Sequence, residues 1–239
     1  MDNLILVTGA GRRVGFHLAS RLHQDGYRVL AHYRSVTEDV QKLQQAGIET
    51  IQADLHDAPS ILEFVGRLQQ YSAVYRAIVH NASAFTPTAE NLIEAAAQYQ
   101  DFFTIHMLAP YLINQGLATQ LAGNGDSPAD IVHITDINVE NPTPRFDIYG
   151  TTKAGLQNLT VVLAKKLAPS IKVNAVAPGP VLFTSLHSEE AKAQMLSETP
   201  LAREGGAEPV YLAVKSLLEN PFVTGATIPV DGGRRLSKA

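Results

Sequence analysis

The 239-residue sequence contains no cysteine. That excludes a disulfide scaffold, a thiolate metal site and a cysteine nucleophile. It also lacks any run of about 18 apolar residues, the length a membrane-spanning helix needs. The opening residues Met1-Asp2-Asn3-Leu4 have neither a basic region nor a small-residue cleavage site, so no signal peptide is expected and the expected location is the cytoplasm. No internal repeat, low-complexity tract or Gly/Ser-rich linker divides the chain, which points to a single domain over 1–239. An excess of positive charge is missing too. There are 19 Lys and Arg against 23 Asp and Glu, a formal net charge of −4, and nucleic-acid binding would call for a basic face instead. Hydrophobic residues make up 45%, enough for a substantial core.

Short apolar runs alternate with helical patterns. Leu4–Val7, Arg28–Tyr33, Thr50–Ala53, Ala77–His80, Ile131–Ile134, Ile171–Val176 and Thr227–Val230 read as strands. Between them, Val14, Leu18 and Leu22, then Ile61, Phe64, Val65 and Leu68, then Leu156, Leu159, Leu163 and Leu167, recur at helical spacing. A helical stretch over about 91–122 contains Pro110. The rhythm predicts an α/β fold with three layers, a Rossmann-type doubly wound parallel sheet covered by helices on both faces. The weakly patterned segment of about 180–206, with one short helix near 188–196, reads as a substrate lid.

Thr8-Gly9-Ala10-Gly11-Arg12-Arg13-Val14-Gly15 lies between the first strand and the first helix. Glycines at such a turn let the backbone approach a pyrophosphate, and the helix N-terminus offers free N–H groups. An ordinary Gly-rich turn is the alternative, and the position after strand one favours the phosphate loop. The third glycine of the usual pattern would fall at Val14, with Gly15 one residue on. At the end of strand two an NAD-binding protein places an acid for the ribose 2′-OH. Here Tyr33-Arg34-Ser35 occupies that point and the first acid is Glu38. Arg34 and Ser35 suit a 2′-phosphate, or Arg34 is a solvated strand-end charge; Arg12 and Arg13 tip the reading to NADPH. Residues 1–34 hold five arginines against two aspartates, so positive charge is concentrated where a phosphorylated dinucleotide would lie.

Tyr149 and Lys153 stand four apart at the start of the Leu-striped helix. They share a helix face. The spacing predicts that Lys153 lowers the Tyr149 phenol pKa, so that it delivers a proton near neutrality.

With these motifs in place, the chain resembles the short-chain dehydrogenase/reductase family along nearly its whole length. The matching residues are Thr8-Gly9 through Gly15, Asp54-Leu55 after strand three, Asn81-Ala82 after strand four, Tyr149 with Lys153, Asn174 with Pro178-Gly179, and Asp231-Gly232-Gly233. The resemblance implies that Tyr149 is the proton donor and that Lys153 holds the nicotinamide ribose. It implies cofactor contacts from Gly9, Gly11, Arg12, Arg13, Val14, Tyr33, Arg34, Ser35, Asp54, Leu55, Asn81, Ala82, Ser83, Lys153, Pro178 and Gly179.

The chain departs from the usual family pattern at several positions. Arg13 replaces a loop glycine, His80-Asn81-Ala82-Ser83 replaces Asn-Asn-Ala-Gly, Asp136 stands where a serine is usual thirteen residues before Tyr149, and His106 replaces a helix asparagine. Gly11-Arg12-Arg13-Val14-Gly15, Asn81-Ala82-Ser83-Ala84-Phe85 and Asp136 are similar to the pteridine reductase subgroup, which includes the bacterial dihydromonapterin reductases. That likeness implies substrate contacts from Arg13, Ser83, Phe85, Asp136 and Tyr149, with Tyr149, Lys153 and Asp136 as the catalytic set. Asp136 reads otherwise as a turn cap, and Phe85 as a packed loop aromatic. His106 reads as a structural or water-holding residue. The expected activity is reduction of a 7,8-dihydropterin to the tetrahydro form with NADPH, with dihydrofolate as a side substrate. The alternatives are a general carbonyl or alcohol oxidoreductase and a non-catalytic NADP-binding sensor. The family likeness implies a homo-tetramer, and Lys238 near a neighbour's site competes with a frayed tail. The histidines show no metal spacing, so no metal site is expected.

Overall fold

The tetrapeptide Leu4-Ile5-Leu6-Val7 has no polar face, so it is satisfied only inside a sheet covered on both sides. In the computed structural model, which describes residues 4–72, 74–121, 123, 127–183 and 188–237, it is the interior strand β1, fully buried. The strands that follow are β2 (Arg28–Tyr33), β3 (Glu49–Gln52), β4 (Ala77–His80), β5 (Ala129–Ile134), β6 (Ile171–Pro178) and β7 (Thr227–Val230). They form one parallel sheet in the order β3-β2-β1-β4-β5-β6-β7. The order reverses between β1 and β4, so a crevice opens at the carboxyl ends of those strands.

Helices cover both faces. On one side α1 (Arg13–Gln24), α2 (Glu38–Gln45) and α8 (Glu208–Glu219) pack Leu18, Leu22, Leu43, Val210 and Val214 against Ile5, Val7, Val132 and Val176. On the other, α3 (Ala58–Tyr71), α5 (Ala109–Gly116) and α6 (Asp147–Leu167) pack Phe64, Leu68, Ile113 and Leu163 against Leu4, Leu6, Ile78 and Val173. Local chemistry sets the helix starts. Thr37 accepts from the Val40 amide and Asp57 from the Ser60 amide, each satisfying an N-terminal donor.

Several elements differ from the sequence expectation, among them β5, which begins at Ala129 rather than Ile131. The stretch over 91–122 is α4 (Leu92–Phe103), a π-helical turn (Thr104–Leu108) and then α5, which ends at Gly116. Proline at 110 has no N–H and its ring clashes with the carbonyl four residues back, so the turn before it widens. Strand β6 runs on to Pro178 because Ala177 and Pro178 pair with Pro229 and Val230. Helix α8 lies within 207–226, where no element was expected, with Val210, Val214, Leu217 and Leu218 buried at helical spacing. Helix α6 starts two residues before Tyr149, which places that residue in its first turn.

The proposed lid leaves and returns at one point. The Gly206 amide donates to Val181 O at 2.7 Å and the Gly205 amide to Pro180 O at 3.4 Å. Between them lies α7 (Glu189–Ser197), close to the expected short helix. Lys238 falls outside the described residues.

Candidate active site

The loop after β1 is built on close approach. Gly9 has φ +67°, and a Cβ there would come within 2.6 Å of Ala82 Cα. At Gly15 a Cβ would come within 2.2 Å of Gly9 O. The tight helix-to-loop packing that a third glycine provides is therefore made by Gly15, and Val14 leaves the pattern intact. Thr8 Oγ1 accepts from the Asn81 and Ala82 amides at 3.0 and 3.1 Å, while Asn81 Nδ2 donates back to Thr8 O and Gly9 O. The loops after β1 and β4 are thus fastened to each other across the switch point.

His32 fastens this loop from below. Its Nδ1 accepts from the Gly9 amide at 3.1 Å and its Nε2 faces Ala53 O at 3.2 Å, which fixes a neutral Nε2–H ring. Burial holds the His32 pKa down at about 4.

The features around this loop fit a phosphorylated dinucleotide. Helix α1 begins at Arg13 with no side-chain cap, so its first amides are free to meet an anion. Arg12, Arg34 and Ser35 are exposed beside it, and Tyr33 lies under Gly11. Arg13 is exposed, takes a left-handed φ of +54°, and donates from Nη2 to Leu182 O at 2.7 Å, linking the loop to the chain just after Val181. Asp54 is exposed after β3, whereas Leu55 is buried in the core. The Gly179 amide donates to Val230 O at 2.9 Å, and a Cβ on Gly179 would lie 2.7 Å from Asp231 Cβ, so the Pro178-Gly179 turn packs on the Asp231-Gly232-Gly233 segment. Asn174 is elsewhere: it is wholly buried in β6 and bonds Val223 O and the Ala226 amide.

Beyond β5 the chain brings Asp136, Tyr149 and Lys153 together. Asp136 caps a short 3₁₀ turn (Ile137–Val139): its Oδ1 accepts from the Asn138 amide at 2.8 Å. Its other oxygen accepts from the Tyr149 hydroxyl at 2.8 Å. Asp136 thus caps the turn with one oxygen and meets Tyr149 with the other. Burial pushes the Asp136 carboxyl up. Tyr149 is also driven well above the usual phenol value, first by burial and then by the Asp136 charge. This corrects the expectation that Lys153 lowers the phenol. Lys153 Nζ donates to Ile134 O at 2.9 Å, and burial brings its own pKa down to about 8. Asp136 is in direct contact with the phenol, whereas the Lys153 ammonium is turned to Ile134 O.

Phe85 is half-buried beside this group. It stacks on Phe146 with centroids 4.6 Å apart and meets Tyr149 edge-on at 4.9 Å. The packed loop aromatic expected from the sequence is what these contacts show. Phe146 was not singled out from the sequence, although it lies one helical turn before Tyr149. His106, expected to be structural or water-holding, is buried and meets Tyr149 edge-on with centroids 5.5 Å apart. Ser83 is exposed, with Oγ 2.8 Å from His106 Nε2.

A family model described as enoyl-(acyl carrier protein) reductase matches residues 9–235. The chain is 38% identical over 239 residues to the dihydromonapterin reductase of Enterobacter sp. (strain 638), covering 98% of this chain and 97% of that one. It is 37% identical over 235 residues to the dihydromonapterin reductase of Escherichia coli O6:K15:H31 (strain 536 / UPEC), covering 97% and 96%. Among solved structures it is similar to FolM alternative dihydrofolate reductase 1 from Brucella canis complexed with NADP, with a TM-score of 0.87, 29% identity, and coverage of 99% and 95% of the two chains.

Proposed function

The chain belongs to the short-chain dehydrogenase/reductase family, and from that premise we infer that it reduces a 7,8-dihydropterin to its tetrahydro form with NADPH, with dihydrofolate as a side substrate. The observation that carries this reading is the carboxyl of Asp136, 2.8 Å from the Tyr149 hydroxyl, where a carbonyl reductase of the family has a serine.

Reducing a ring C=N bond adds hydride to carbon and a proton to nitrogen. NADPH supplies the hydride when bound. The residues that would hold it are the free amides of α1 with Arg12 and Arg13 at the phosphates, Arg34 and Ser35 at the 2′-phosphate, Asn81 and Ala82 along the chain crossing, and Lys153 at the ribose. The proton is the protein's task. A carboxyl with a raised pKa carries a proton closer to neutrality than an ordinary aspartate, and Tyr149 keeps it aimed. Asp136 and Tyr149 form one coupled acid that shares a proton and presents it to the pterin nitrogen, and solvent replaces it afterwards. The charged Lys153 stabilises the pair once the proton has left. Phe85 forms the face on which the pterin ring stacks, and at its edge Arg13 offers donors and the Ser83 oxygen an acceptor.

The segment 180–206 serves as the lid in this reading, and its tie to Arg13 supports that role. Assembly as a homo-tetramer is supported by the exposed apolar residues Leu92, Ile93 and Phe103 of α4, Tyr111 of α5 and Val162 of α6.

Following NADPH absorbance with dihydromonapterin, dihydrobiopterin, dihydrofolate and a 3-oxoacyl thioester tests the reading. Turnover of the pterins is expected, and Asp136→Ser lowers it about 100-fold while leaving NADPH affinity within about twofold. Turnover of the thioester alone, with Asp136→Ser tolerated, overturns it.

A further inference from the structure

His106 is 1% exposed and lies in the π-helical turn, where the Ala109 amide reaches back five residues to Thr104 O. The wider turn brings the ring between two walls of the site. On one side, the Ala84 amide donates to Nε2 at 3.3 Å, and the Ser83 hydroxyl is 2.8 Å from the same nitrogen. On the other, Nδ1 is 2.8 Å from Thr152 Oγ1, and Thr152 Oγ1 donates to Tyr149 O at 2.9 Å.

The proton count allows one arrangement. A backbone amide only donates, so Nε2 carries the lone pair and Nδ1 carries the hydrogen. Since the Thr152 hydrogen is committed to Tyr149 O, its oxygen is free to accept from Nδ1–H. A single directed chain results, from the Ala84 amide through the ring and Thr152 to the carbonyl of Tyr149. The ring also meets Tyr149 edge-on at 5.5 Å. Helix α6 passes so close to the π turn that a Cβ on Gly155 would come within 2.5 Å of Met107 Sδ, so the helix is seated there by contact as well as by hydrogen bonds.

We propose that His106 is a positioning residue that sets the separation between the substrate wall Ser83–Phe85 and the first turn of α6 that carries Tyr149. The proposal rests on the pterin-reductase reading for its kinetic consequence. Its Nε2 side holds the wall against which the ring of the substrate stacks; its Nδ1 side holds the proton donor.

Two conservative variants separate the halves. In His106→Asn, Nδ2 takes the place of Nδ1 and donates to Thr152, while the reach to Ala84 is lost. In His106→Gln, Oε1 takes the place of Nε2 and accepts from Ala84, while the link to Thr152 is lost. His106→Asn should raise the dihydropterin KM about five- to tenfold with kcat within about threefold. His106→Gln should lower kcat about 10- to 100-fold with KM within about threefold, as expected when a reacting group is displaced by about an ångström. Equal changes of both parameters in both variants, tracking the loss of Tm, overturn the proposal, and so does no change in either. A second measurement needs no turnover. The ¹⁵N spectrum of the wild-type protein should show a neutral, Nδ1-protonated ring, and an Nε2-protonated ring refutes the proposal. Absence of wild-type pterin turnover with the expected tautomer would count against the substrate reading and leave the hydrogen-bonded link standing.

Discussion

Acid should loosen the phosphate loop well above the pH at which carboxylates titrate. His32 and His80 are buried and neutral, each with its pKa lowered from 6.5 to about 4. The unfolded chain binds a proton on each ring more readily than the folded chain throughout the window between those values. Acid therefore favours unfolding: the stability is fully present above about pH 6.5 and lost as pH falls toward 4. At pH 5 the linkage relation gives a loss of about 2 kcal/mol per ring, or about 4 kcal/mol for both, a large part of a typical total stability. Asp130 and Asp136, whose carboxyls are raised, act in the opposite direction, so the variant comparison isolates the imidazole share. Protonating His32 also removes the acceptor of the Gly9 amide, so cofactor affinity should fall with stability. Urea midpoints by circular dichroism and NADPH affinity by nicotinamide fluorescence, at pH 7 and pH 5, measure both effects. His32→Asn keeps an acceptor near Nδ1 and cannot titrate. It should lose about 2 kcal/mol less than the wild type between the two pH values and keep its NADPH affinity at pH 5. A wild-type stability flat to within about 1 kcal/mol, or a variant with the full acid loss, refutes buried neutral histidine as the cause.

Three further outcomes are expected. Because burial lowers the Lys153 pKa to about 8, kcat/KM should be held below that pH and decline above it, and Lys153→Arg should move the alkaline limb upward; a limb unmoved by that change assigns it to another group. Gly9→Ala forces a side chain to φ +67° and onto Ala82, so it should weaken NADPH binding more than tenfold and cost about 1–3 kcal/mol of stability, read by titration and thermal melts. Phe146→Ala removes the ring stacked on Phe85 and should raise the dihydropterin KM several-fold while leaving the NADPH KM unchanged; equal effects on both would mean the pair only braces the loop.

The strands and the order of the motifs were legible in the sequence because each depends on short-range pattern. Leu4–Val7 cannot face water on either side, and Gly9 and Gly15 stand at fixed distances from it. Tyr149 and Lys153 share a face because of helical spacing alone. Asp136 stands out because of what occupies its place beside the pair. The break in 91–122 was less visible, since Pro110 announces an interruption but not the π turn that absorbs it. Helix α8 carried the periodic signal in Val210, Val214 and Leu217, which the weakly patterned stretch before it obscured.

The residue types of the site, the dinucleotide loop and the layered sheet follow from the chain alone, since they rest on local spacing and on apolar faces that must be covered. The tertiary structure decided what those residues do to one another. Only folding brings Asp136, beyond the end of β5, against Tyr149 on α6, so that burial and a neighbouring carboxyl raise a phenol that the Tyr-x-x-x-Lys spacing predicted to be lowered. Only folding turns His32 to the Gly9 amide and His106 to both Ala84 and Thr152. Desolvation and hydrogen-bond direction depend on three-dimensional neighbours, and residues distant in sequence carry no local mark of meeting.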